Sequence, residues 1–278
     1  MTINHLDITL IVDNKADPDL AAEHGLAVWI DTADRHILFD TGQGPALAAN
    51  AGKLEIALER TDSIVLSHGH YDHSGGVDHV LRCNPSAELF CHPGAIQPRY
   101  SVRSGATRAI HMPGKSMAAL NRVPSQRMHW VSEPMKISED IGLTGPIPRA
   151  SGFEDAGGPF YLDPNARRTD AIDDDMALWI NTPEGLVVCV GCAHAGLINT
   201  LNHVRHLSGG ADIHTVVGGF HLKGARAERI RRTVSELKTL NPATMVACHC
   251  TGENAITALE KAYGSRISRG HAGMRLHF

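Results

Sequence analysis

The feature that most constrains this chain is Ser67-His68-Gly69-His70-Tyr71-Asp72-His73-Ser74-Gly75-Gly76, which includes the end of the apolar run at 63–67. Three imidazoles and a carboxylate fall within six residues, at a strand end. A strand end followed by a glycine-loosened loop lets such side chains turn toward one point. His68 and His70 then face one metal, and Asp72 and His73 face a second. Donors of this mix suit Zn2+, and also Fe or Mn. A histidine-rich surface loop is the competing reading, and four donors at a strand end argue against it. Histidine is plentiful overall, 18 of 278 residues, and it is the commonest metal ligand.

Length and composition set the frame around that motif. A chain of 278 residues is long enough for one large core, and we read 1–278 as a single domain with an inserted lid-like segment at about 93–132. Hydrophobic residues at 42% and charged residues at 20% are those of an ordinary globular protein. A net charge of −4 provides no general basic field for nucleic acid or an anionic membrane. No apolar run is long enough to span a bilayer. The first residues carry Asp7 and Asp13 through their short apolar run with no basic residue before it, which argues against a secretory signal. The six cysteines therefore read as reduced thiols, and the expected compartment is the cytoplasm. Two groups stand out, Cys189-Val190-Gly191-Cys192 and Cys248-His249-Cys250. Cys189 itself reads as a small buried hydrophobe in a strand.

Periodicity places strands at 8–12, 26–30, 36–40, 63–67, 87–92 and 130–138, and helices at 45–59 and 77–82. Residues 93–132 show no clear period and hold several prolines and glycines, as a functional lid would. The second half reads as a hairpin over 176–192, then helix 196–207, strand 213–221, helix 224–239, strand 244–249, helix 253–263 and strand 274–278. No repeat is evident at a 20–50-residue period. Two β-rich halves, each followed by helices, fit two sheets packed face to face with helices outside.

The His-x-His-x-Asp-His pattern at 68–73 resembles the signature of the metallo-β-lactamase superfamily. LFDTG at 38–42, LVVCVGC at 186–192 and MVACHCTG at 245–252 resemble its flanking motifs. The resemblance implies an α/β fold, the αββα sandwich, with a dinuclear site at one edge of the two sheets. It carries over His68, His70, Asp72 and His73 as ligands one for one, and His249 as the ligand of the last motif. HGHYDHSGG, GCAHAG, VGGFHL and ACHCTG together resemble the subgroup named for dihydropterin-ribofuranosyl-aminobenzene phosphate synthase. One departure matters. Where most hydrolases of the superfamily have Gly-Asp, with the aspartate bridging the metals, this chain has Gly191-Cys192, with His194 two residues on. Either Cys192 or His194 ligates; we favour His194, with the cysteine packed inward. Asp174, within Asp173-Asp174-Asp175, is a candidate for the missing carboxylate, against the reading of a solvated acidic turn. His221 is open between ligand, proton donor, substrate contact and buried structural histidine. Asp40 is expected to hold a metal-bound imidazole in one tautomer.

Between Glu88 and Glu133 there is no acidic residue, whereas Arg99, Arg103, Arg108, Lys115, Arg122 and Arg127 lie there. A basic lid over a metal site attracts an anionic substrate, and a solvated charged face is the equal alternative. Arg99, Arg103, Arg108 and Arg149 are the substrate-binding candidates. The chain has no Walker loop, Rossmann fingerprint or Gly-x-Ser-x-Gly elbow. The expectation is a metal-dependent hydrolase with two Zn2+ sites, acting through a metal-activated water on a small anionic ester, lactone or phosphate-containing substrate. Asp72 orients the attacking water, and His221 stabilises the oxyanion or protonates the leaving group. A synthase acting on a phosphorylated pterin-like substrate, or an iron-dependent oxidoreductase on the same fold, is the alternative. Oligomeric state is not readable from the sequence.

Overall fold

The computed structural model describes residues 2–3 and 5–278. By its contacts the chain divides into two compact units that interleave in sequence. The N-terminal unit comprises His5–Ser132, Gly158–Asp174 and His271–Phe278. The C-terminal unit comprises Glu133–Gly157 and Asp175–Gly270, and takes in Ile3, whose N–H donates to the Asn181 carbonyl.

The N-terminal unit is built on a seven-stranded sheet. Its order is Arg275–His277, Leu6–Val12, Ala27–Thr32, Arg35–Phe39, Ser63–Val65, Glu88–Cys91 and Met128–Trp130. The first four strands pair antiparallel and the rest parallel. Helices Pro45–Lys53 and Val77–Cys83 bury Ala46, Leu47, Ala51, Val77 and Val80 against Leu38, Ile64, Leu66 and Leu89. The C-terminal unit repeats the plan in the order Ile267–Arg269, Thr244–Cys248, Ile213–Gly219, Gly185–Val190, Ala177–Thr182, Ile141–Leu143 and Met135–Lys136. Helices Leu197–Leu207, Ala227–Leu240 and Glu253–Tyr263 bury Leu201, Val204, Leu237 and Leu259 with Trp179, Val188, Val216 and Met245. Truncating a fully buried leucine such as Leu47 or Leu201 to Ala costs about 2–5 kcal/mol.

Each unit contains a hairpin followed by three parallel strands, and the hairpins share a sequence. Ala27-Val28-Trp29-Ile30-Asp31-Thr32 matches Ala177-Leu178-Trp179-Ile180-Asn181-Thr182. Thr32 Oγ1 donates to the Arg35 carbonyl at 3.1 Å and Thr182 Oγ1 to the Gly185 carbonyl at 2.7 Å, closing the same turn twice. The spacing is far longer than a solenoid period, so a search at 20–50 residues misses it.

Three sequence expectations change. The helix expected over 45–59 ends at Lys53, because Glu55 adopts a left-handed φ of 58° and the chain leaves the helical path. The strand expected over 130–138 is two: Met128–Trp130 in one sheet and Met135–Lys136 in the other, with Pro134 between them. Residues 93–132 are not irregular. They hold a hairpin, Tyr100–Arg103 with Ala106–Ala109, that turns on Ser104 and Gly105, both at positive φ. Phe160–Tyr161 adds a third strand to it, and helix Gly114–Leu120 buries Ala119 and Leu120. Among the described residues no helix is long and apolar enough to cross a membrane, and no disulfide joins the six cysteines.

Candidate metal centre

In the N-terminal unit the expected ligands leave strand Ser63–Val65 together. His68, His70, Asp72 and His73 are all buried, and His70 caps the short helix Tyr71–Ser74. Glycine is needed between the first two: a Cβ on Gly69 would lie 2.0 Å from the Ala95 carbonyl oxygen. His73 Nδ1 donates to Asp40 Oδ2 at 2.7 Å, which fixes the tautomer with the proton on Nδ1 and leaves Nε2 as the ring's acceptor. Ser67 Oγ donates to the same Asp40 oxygen at 2.7 Å, so His68 Nδ1 donates to Ser67 Oγ at 2.9 Å. Asp40 thereby orients two imidazoles, one directly and one through a hydroxyl. His68 Nε2 lies 2.9 Å from His70 Nδ1. Two imidazoles on one tetrahedral ion, with bonds of ~2.0–2.1 Å, stand about 3.3–3.4 Å apart, so a slight opening of this pair admits one. Burial, the largest influence, together with Arg99 and His73, lowers His70 to about 3 against the pull of Asp72 and Asp174. The ring is therefore neutral at physiological pH, as a ligand must be. Tautomer, spacing and protonation state all fit a divalent cation. Sequence reasoning missed His24, whose Nε2 lies 3.1 Å from Asp72 Oδ2; nothing in the local sequence marks it.

Two expectations about this unit need correction. Arg99 is 2% exposed, with Nε 2.9 Å from Asp170 Oδ2 and its two terminal nitrogens on Asp174 at 2.5 and 2.7 Å. It is the counter-charge of two buried carboxylates and does not present a fork to a substrate. Asp174 is neither a ligand nor part of a solvated turn. One oxygen accepts from the Gly69 N–H at 2.8 Å, and Arg99 takes up both oxygens, so the carboxylate braces the ligand loop. Arg103 is exposed at the end of its strand. Arg108 donates to the Tyr71 hydroxyl at 2.9 Å and lies 4.9 Å over its ring, beside the motif.

The C-terminal unit carries its donors on the exits of three neighbouring parallel strands. Cys192 and His194 follow Gly185–Val190, His221 follows Ile213–Gly219, and His249 and Cys250 follow Thr244–Cys248. Ala193, His221 and His249 all sit at positive φ, 45–48°, a strained backbone typical of functional turns. His194 is buried, with Nδ1 3.0 Å from the Ala156 carbonyl and its ring 4.2 Å from that of His221. Arg149, expected to bind substrate, donates to the His194 carbonyl at 2.8 Å. Asp175 accepts from the Ala195 N–H at 2.7 Å, and Glu154 accepts from the N–H groups of Ile198 and Asn199 at the start of helix Leu197–Leu207. Asp174 and Asp175, adjacent in sequence, thus brace one ligand loop each. One donor atom from each of Cys192, His221 and Cys250 lies within 4.8 Å of the other two. Burial works to raise the Cys250 thiol, but its hydrogen bond with Cys192 and the nearby His221 and His249 imidazoles bring it well below the usual thiol range. Cys189 is buried in its strand and burial lifts its thiol to about 12, the inert cysteine the sequence suggested.

The metallo-beta-lactamase superfamily model matches residues 21–100, which include the whole 68–73 motif and Asp40. The crystal structure of Tm1679, a metal-dependent hydrolase of the β-lactamase superfamily, aligns over 98% of both chains at 30% identity, with a TM-score of 0.84. The chain belongs to the metallo-β-lactamase superfamily. Its α/β fold is the superfamily's, and divalent-metal binding comes with membership. An uncharacterized protein of Methanocaldococcus jannaschii is 31% identical over 96% of this chain and 98% of its own length. The 7,8-dihydropterin-6-methyl-4-(β-D-ribofuranosyl)-aminobenzene-5′-phosphate synthase of that organism is 28% identical over 92% of this chain and 90% of its own. The subgroup resemblance seen in the sequence therefore extends over most of the chain.

Proposed function

We propose that this superfamily member is a metal-dependent hydrolase of a small anionic substrate, with His68, His70, Asp72 and His73 as the ligands that its N-terminal unit supplies and His194 and His249 as those that its C-terminal unit supplies. The observation that carries the reading is the Asp40 relay, in which one carboxylate sets His73 directly and His68 through Ser67. Such partners fix the tautomer and ring orientation of metal-ligating imidazoles and raise their basicity. A divalent cation supplies Lewis acidity toward a carbonyl or phosphoryl oxygen and a water of lowered pKa. Zn2+ is the proposed ion, with Fe or Mn as alternatives that the same donors accept. The chain's own residues do the rest. Asp72, with His24 on one oxygen, orients the attacking water. Gly69 lets His68 and His70 turn to one point, and Asp174 locks that turn. Arg103 and Arg108 are the cations proposed to meet the substrate's negative charge.

The relationship to the synthase supports a second reading, a non-hydrolytic transfer that joins a reduced pterin to a ribofuranosyl-aminobenzene phosphate. Both readings share an anionic substrate. Elemental analysis, combined with product analysis on lactone, ester, phosphodiester and thioester substrates and on the pterin pair, tests them. Turnover of a hydrolysable substrate that is lost with the metal supports the first. A coupled pterin product with no hydrolysis replaces it with the second.

A further inference from the structure

We propose that Cys192, His221 and Cys250 form a binding site for a thiophilic divalent cation within the C-terminal unit. The proposal does not rest on the hydrolase reading. The three donors leave three adjacent parallel strands, and their donor atoms already lie within 4.8 Å of one another. Thiolate and imidazole bonds to zinc, about 2.3 and 2.0–2.1 Å, bring such atoms to roughly 3.5 Å, so a small closure completes the set. Cys192 and Cys250 are buried and His221 is half-buried, so few competing ligands reach them.

The backbone around these donors is cut to fit them. A Cβ on Gly219 would stand 2.6 Å from Cys250 Sγ, and one on Gly157 would stand 2.0 Å from the His221 ring. Neither position has room for a side chain while the donors point where they do. His221 holds its direction through a left-handed backbone at φ 45°, which a side chain rarely adopts without cause. Two sulfurs and one imidazole select zinc-like or softer ions over magnesium or calcium. This makes His221 a ligand and not the proton donor that the sequence suggested, and it gives a role to Cys250, which the sequence marked only within the Cys248-His249-Cys250 group.

Cobalt(II) titration of the metal-stripped full chain tests the site, because thiolate bound to cobalt gives an intense near-ultraviolet charge-transfer absorption. We expect the band in the wild type and in the His68→Ala/His70→Ala variant. Each sulfur carries a share, so the band should fall by about half in Cys250→Ser. It should stay unchanged in Cys189→Ser, whose thiol lies in the core. Cys250 belongs to no other proposed ligand set, so Cys250→Ser decides the matter even if the double variant fails to fold. A full-strength band in Cys250→Ser, or no band in the wild type, overturns the proposal. A chain that shows the band and hydrolyses no anionic substrate keeps this site and loses the hydrolase reading. A hydrolase without the band does the reverse.

Discussion

The two units share a hairpin sequence and a run of three parallel strands, yet they arm them differently. The N-terminal unit concentrates three imidazoles and a carboxylate in one loop after one strand. The C-terminal unit distributes imidazoles and thiols over the exits of three strands. The bracing differs too. In the N-terminal unit a buried ion triad, Arg99 with Asp170 and Asp174, ends on the Gly69 N–H. In the C-terminal unit Asp175 accepts the Ala195 N–H, and Glu154 accepts those of Ile198 and Asn199 under the Coulombic pull of the buried Arg229. A strand plan fixes where donors can emerge. The residues at the exits, and the charges behind them, decide what those donors hold.

The largest effect expected from this contrast is at the concentrated loop. His68→Ala/His70→Ala should reduce activity to background and remove at least about one metal equivalent, measured by elemental analysis beside steady-state assay. Retained metal content would break the contrast, since the C-terminal donors would then suffice. Next comes the brace. Arg99→Ala strands two buried carboxylates and should cost about 3–5 kcal/mol in urea unfolding, whereas Glu154→Gln, which weakens hydrogen bonds only, should cost about 1–3 kcal/mol. Equal costs would mean the two braces do the same job.

The Asp40 relay comes third. Asp40→Asn should weaken metal binding about 10- to 100-fold in a chelator competition, with the fold intact by circular dichroism. Fourth is the pH response of the metal-stripped chain. His70 stays neutral in the folded protein down to about 3, while the unfolded chain takes up the proton near 6.5. The unfolded state thus binds more protons as pH falls, so stability is present above pH 6.5 and is lost progressively below it. About 2 kcal/mol should disappear between pH 6.5 and 5, and His70→Asn should flatten that slope. The smallest effect is at the exposed rim, where Arg108→Ala should raise KM about 3- to 10-fold with kcat little changed. No change there would retire Arg108 as a substrate contact.

Much of the N-terminal centre was legible because its donors are consecutive. A strand followed by His68-Gly69-His70-Tyr71-Asp72-His73 is local information, and Asp40 could be read from its neighbouring strand end. The brace was not legible, since Gly69, Arg99 and Asp174 meet only in the fold. Arg99 and Asp174 were misread for one reason: each looked like a lone charge, and neither showed its partner. The hairpin over Tyr100–Ala109 escaped because its strands are mostly exposed and lack apolar alternation. The helices at 197–207, 227–240 and 253–263 were clear because each carries one apolar stripe.

The most direct measurement strips the purified chain with a chelator and restores it with Zn2+, Fe2+ or Mn2+, following turnover of the anionic substrate panel at each step. The account predicts loss of turnover on stripping and its return with at least one of these ions in the wild type. It predicts no return in the His68→Ala/His70→Ala variant. Full turnover by the stripped wild type, or recovery in that variant, would contradict it.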